Sequence, residues 1–169
     1  DHVTRTQGGD PGQPRSVGHG IFCSLAAWAA TSDQKYLARA RQIVEKGEQH
    51  QDRSNGGMPY PSNFTFQGGI VGEAYYDWVY ATGDQKAAQY TQRLADWMHS
   101  TYGDDLGVTV GMATMLFGAA YDYTGDPKYL KLGVNELEKW PLKGMGGRGL
   151  KAFAQVHRAS KRFLWMLAV

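Results

Sequence analysis

Tyr121-Asp122-Tyr123-Thr124-Gly125-Asp126-Pro127-Lys128-Tyr129-Leu130 reads as the tight joint between two antiparallel helices, and the chain contains that joint three times. Gly125 suits the left-handed position that follows a helix C-terminus. Asp126 can cap the next helix by accepting backbone N–H bonds, and Pro127 fits that helix's first turn, where no donor is needed. Thr31-Ser32-Asp33-Gln34-Lys35-Tyr36-Leu37 and Thr82-Gly83-Asp84-Gln85-Lys86 are the other copies. Asp33, Asp84 and Asp126 fall 51 and 42 residues apart, the length of a helix pair plus a variable loop. A glycine stands thirteen residues before the threonine each time, at Gly18, Gly69 and Gly111. Each unit runs glycine, apolar helix, capped joint, amphipathic helix, and then an irregular loop.

The expected fold class is all-α: repeated antiparallel helical hairpins forming part of an (α/α) toroid. The helical pairs are expected at about 17–48, 69–100 and 107–140, with two short closing helices within 149–168. Residues 1–16 read as loop, with Gly8-Gly9, Asp10-Pro11-Gly12 and Pro14 as breakers. The run Ile21, Phe22, Leu25, Ala26, Trp28, Ala29 is apolar almost all round, which predicts an inner helix with neighbours on most sides. Tyr36, Leu37, Ala40, Ile43, Val44 and Gly47 instead form one stripe, so the helix after the joint is outer with one wet face. A TPR-like solenoid competes, but its units are about 34 residues with short regular links. Here residues 49–67 are too long and too aromatic for a mere connector, and in a toroid such loops gather at one end of the ring, where a pocket forms.

With 42% hydrophobic residues in 169, the chain can bury a core of single-domain size. A net charge of +2 with no separate Lys/Arg block argues against a nucleic-acid partner. No apolar run approaches the roughly 20 residues of a membrane span, which argues against a membrane partner. Cys23, the single cysteine, lies in an apolar helical run and is expected to be a buried small hydrophobe. The opening Asp1-His2-Val3-Thr4-Arg5 has neither an initiating Met nor a charged-then-apolar leader, so a piece of a longer protein is expected. The compartment stays open, secreted or periplasmic being the expectation.

Aligning the three inner helices on their joints shows where the apolar pattern breaks. His19 aligns with Ile70 and Met112, Glu73 with Phe22 and Met115, and Asp77 with Ala26 and Ala119. His19, near the positive end of a helix dipole, suits a neutral base or hydrogen-bonding group; it equally suits simple packing at the ring's end. Glu73 and Asp77, four apart on one face, could be an acid and base pair of the glycosidase kind, or could accept hydrogen bonds from tyrosines, tryptophans or helix ends. Arg5 could face a substrate, and Arg15 could bind a substrate carboxylate as a planar fork or be one more solvated arginine. Phe64, Phe66 and Gln67, beside Tyr60, could line a sugar site, and Tyr60 could also exchange a proton. His2, His19, His50, His99 and His157 are scattered, so no metal is expected, and no cofactor motif is present.

The Gly-His opening of an inner helix, Arg15-Ser16-Val17-Gly18-His19-Gly20, followed by Ala30-Thr31-Ser32-Asp33-Gln34-Lys35-Tyr36-Leu37, resembles (α/α)6-toroid carbohydrate-active enzymes. The rhamnogalacturonan exolyase-like group comes first, with the β-L-arabinofuranosidase-like hydrolases nearby. The resemblance implies an enzyme acting on an acidic polysaccharide, by β-elimination or by hydrolysis, with a polysaccharide or oligosaccharide as its partner. Those toroids use about a dozen helices, so the chain resembles the C-terminal half of a ring, and the N-terminal half of the same protein is the expected partner. A non-catalytic helical domain that binds glycan or protein through residues 58–67 is the remaining alternative.

Overall fold

The structure is a computed structural model, and it describes residues 13–58, 65–104, 113–139 and 150–168. Among these the chain is all-helical: α1 Pro14–Thr31, α2 Gln34–Arg53, α3 Thr65–Thr82, α4 Gln85–Tyr102, α5 Thr114–Thr124, α6 Pro127–Lys139 and α7 Leu150–Leu167.

The three joints are built alike. Thr31, Thr82 and Thr124 each donate a hydroxyl hydrogen bond of 2.7 Å to the carbonyl four residues back. Asp33, Asp84 and Asp126 each donate their own N–H to that threonine's hydroxyl oxygen at 3.2–3.3 Å. Their carboxylates then cap the next helix, accepting from the N–H of Lys35, Lys86 and Lys128 at 2.9–3.1 Å. The residue between must be left-handed: Gly83 has φ 72° and Gly125 φ 67°, and Ser32 takes the same place at φ 57°. A side chain in that region costs about 1 kcal/mol, so the first joint is held in spite of its serine.

Helix α1 packs on α2 and α3, α3 on α4 and α5, and α5 on α6 and α7, so α1, α3 and α5 form one row and α2, α4 and α6 a second. Glycines set how closely the first row packs. A methyl group at Gly18 would stand 2.6 Å from Ile70 Cγ2, and one at Gly72 2.5 Å from Leu116 Cδ1. Between the rows lie Ile21, Tyr75, Trp78, Leu94, Met98, Phe117 and Tyr129, all fully buried. Each such side chain contributes about 2–3 kcal/mol of transfer free energy. Trp78 is also fixed by its indole N–H, which donates to Asp84 Oδ2 at 2.9 Å, tying the core to the second joint.

Several boundaries differ from the sequence reading. Helix α1 begins at Pro14 rather than near Ser16, because proline suits a first helical position. Helix α2 runs on past 48 to Arg53, since Gln51 is buried and the first real breaker is Asn55-Gly56, at φ 52° and 95°. Helix α3 begins at Thr65, ahead of the expected 69. The expected start of α5 near 107 lies outside the described residues. The two closing helices are one continuous helix, α7, because nothing between His157 and Ser160 interrupts it. Helix α1 is less enclosed than its composition implies: Ala26, Ala29 and Ala30 are exposed and Cys23 is half-buried rather than buried.

Candidate functional site

The three aligned positions Phe22, Glu73 and Met115 all face the same element, helix α7. Met115 packs in a cluster with Ala159 and Phe163. The guanidinium carbon of Arg158 lies 4.9 Å from the centre of the Phe22 ring. Glu73, only 3% exposed, receives both arginines of α7: Arg158 Nη2 donates to Oε2 at 2.6 Å and Arg162 Nη1 to Oε1 at 2.8 Å. Arg162 also grips Asp77, Nη1 donating to Oδ2 at 3.2 Å and Nη2 to Oδ1. Two carboxylates four apart on α3 are thus matched by two guanidiniums four apart on α7. Burial works against the Arg162 cation, but Asp77 and Glu73 outweigh it and hold its pKa above the ordinary arginine value.

Aromatic rings flank this clasp. Arg162 lies 5.8 Å from the centre of the Tyr76 ring, and Tyr76 stacks on Tyr123 with centroids 6.0 Å apart and planes at 27°. The Tyr123 hydroxyl is buried with no hydrogen-bond partner among the described residues. Burial, reinforced by Tyr76, Asp122 and Asp77, pushes its pKa far above the usual phenol value. Burial first and Asp122 second raise that of Tyr76, against the pull of Arg162. Both phenols therefore keep their protons and can act as donors. Tyr80, one turn beyond Tyr76 on α3, is 85% exposed.

The expected site residues separate into groups. Glu73 and Asp77 come together with the clasp. His19 is half-buried in the second turn of α1, a turn deeper than expected, and its ring centroid is 6.4 Å from that of Phe22. Arg15 is exposed at the start of α1. Its backbone N–H donates to Gln67 Oε1 at 3.3 Å, so the buried Gln67 serves a helix end. Phe66 is half-buried in the first turn of α3. Arg5, Tyr60 and Phe64 lie outside the described residues, as does Met112.

Arg158 and Arg162 were not foreseen. Their one signal was the matching interval of four, which nothing in the sequence connects to residues 85 and 89 positions away. Among the described residues no three His, Cys, Asp or Glu side chains gather as a metal site, and no helix is long and apolar enough to cross a membrane. Comparison of the chain with models of known protein families, with curated proteins and with solved structures finds no match.

Proposed function

We propose that the chain is part of an α/α-toroid enzyme that cleaves an acidic polysaccharide by β-elimination, with its site on the face where α1 and α3 meet α7. Arg158 carries the reading. Its half-exposed guanidinium is steadied by Glu73 and lies over Phe22, three residues from His19 on the same helix.

In this reading a guanidinium binds the uronate carboxylate and stabilises the charge that builds there as the neighbouring carbon loses its proton. His19 takes that proton. The electron pair left behind becomes the new carbon–carbon double bond, the glycosidic oxygen departs, and a tyrosine returns a proton to it. Tyr76, half-buried beside Arg162, is the described tyrosine placed for that last step. Tyr60 is the further candidate for proton transfer, Arg5 and Phe64 remain candidates for substrate binding from the sequence, and Arg15 and Phe66 would extend that binding from the first turns of α1 and α3. The hydrolytic alternative gives Glu73 and Asp77 the acid and base roles. Both carboxylates are clasped by α7, which leaves them poorly placed to meet a water or a glycosidic oxygen and favours elimination.

The test is incubation of the protein with uronate polysaccharides while following ultraviolet absorbance from the new double bond. Absorbance should appear, vanish in His19→Ala, and fall by about a hundredfold in Arg158→Ala. Release of reducing ends without that absorbance, dependent on Glu73, would replace elimination by hydrolysis; binding without conversion would remove both.

A further inference from the structure

The two arginines of the clasp look alike in the sequence, yet the fold uses them differently. Arg162 is spent within the protein. Its Nη1 donates to Glu73 Oε1 at 2.8 Å and to Asp77 Oδ2 at 3.2 Å, and its Nη2 donates to Asp77 Oδ1, so two carboxylates fill its planar fork. Offering that fork to a ligand would strip buried Glu73 of one of its two arginines. Arg158 gives one N–H to Glu73 Oε2 at 2.6 Å, and its side chain is 49% exposed against 32% for Arg162. Of the two, Arg158 is the one that can present N–H groups outward.

The four charges alternate along the clasp in the order Arg158, Glu73, Arg162, Asp77, and each holds the next. Asp77 meets Arg162 through both of its oxygens, a geometry that leaves the guanidinium little freedom to turn. Arg162 in turn fixes Oε1 of Glu73, so that Oε2 is offered to Arg158 from one direction. The Phe22 ring, 4.9 Å from the Arg158 guanidinium carbon, closes off one side. Fixing a loose arginine on a ligand weakens binding by up to about tenfold, a cost that an arginine already held in place avoids.

We propose, resting on the elimination reading for what Arg158 binds, that Arg162 and Asp77 are positioning residues. They touch no substrate. Through Glu73 they set the direction of the Arg158 guanidinium, so that it is ordered before a uronate carboxylate arrives. Asp77, an acid or base in the hydrolytic alternative, here acts at two removes from the ligand, through Arg162 and then Glu73.

Kinetics on a uronate polysaccharide and NMR of the guanidinium groups test it together. The variants are Asp77→Asn and Arg162→Lys, the second keeping the charge and losing the fork. In each, KM should rise about fivefold while kcat stays within about twofold, because the cost of ordering Arg158 falls on binding alone. In an Arg158→Ala background Asp77→Asn should raise KM no further, since its effect passes through Arg158. The Nε–H line of Arg158, assigned by its loss in Arg158→Ala, should stand apart from that of free arginine in the parent and move toward it in both variants. Both positions are half-buried, so circular dichroism should show each variant folded as the parent is. A kcat loss of about a hundredfold in Asp77→Asn would overturn the proposal by making Asp77 catalytic. A lower kcat at constant KM, the mark of a merely destabilised protein, would overturn it too, as would an Arg158 line that neither variant moves. Should the parent give no ultraviolet product, elimination itself falls, and the brace then stands or falls on the Arg158 line.

Discussion

The joints and the inner-face positions arise from the same spacing, yet they behave in opposite ways. At the joints the same residues make the same bonds three times, with lengths that agree to about 0.2 Å. On the inner face the aligned residues Phe22, Glu73 and Met115 share only a direction, toward α7, and each meets it by different chemistry. A joint is fixed by its own few residues, so its sequence repeats with it. A face is fixed by whatever packs on it, and α7 offers arginine to two helices and Phe163 to the third.

The sharpest way to break this contrast is Glu73→Ala, which takes from Arg158 its carboxylate and from Arg162 one of its two. Stability measured by urea unfolding should fall by about 3 kcal/mol, well beyond the loss of any cap. A loss under about 1 kcal/mol would mean that the acid is not what seats α7. Next comes the equivalence of the joints. Asp33→Ala and Asp126→Ala should each cost about 1 kcal/mol as lost caps, and Asp84→Ala about 2 kcal/mol, because the buried Trp78 N–H also loses its acceptor. Three equal losses would show that the indole bond adds nothing.

The smallest effect concerns pH. Burial raises the pKa of Glu48 above its ordinary 4.5, and the partner Lys86 offsets this only in part. A carboxyl whose folded pKa is raised contributes stability that is fully present below its unfolded pKa and is lost as pH rises through the folded value. Stability should therefore decline slightly from pH 4.5 upward through the folded pKa of Glu48. In Glu48→Gln that decline should flatten; an unchanged profile would place its cause in another group.

What could be read from the chain follows the same division. The joints, the order of the helices and the buried stripe Ala40, Ile43, Val44, Gly47 were legible because each depends on neighbours within a turn or two. So was the oddness of Glu73 and Asp77, since an acid breaks an apolar pattern locally. Its cause was not: Arg158 and Arg162 sit on a helix that the sequence divided in two, and a pairing across more than eighty residues leaves no periodic trace. The ends of α2 and α3 were missed for a related reason, because Gln51 and Gln67 are polar residues that the fold buries.

The clasp also bears on the order in which the molecule assembles. A helix pair joined by two residues closes a short loop, while Glu73 and Arg162 must bring together points 89 residues apart, at a greater cost in chain entropy. The three pairs can form before α7 arrives, and until it does Glu73 and Asp77 face water, where a bare carboxylate is at no disadvantage. The ion pairs of the clasp weaken with salt, so hydrogen exchange at raised ionic strength should show α7 opening before the three pairs do.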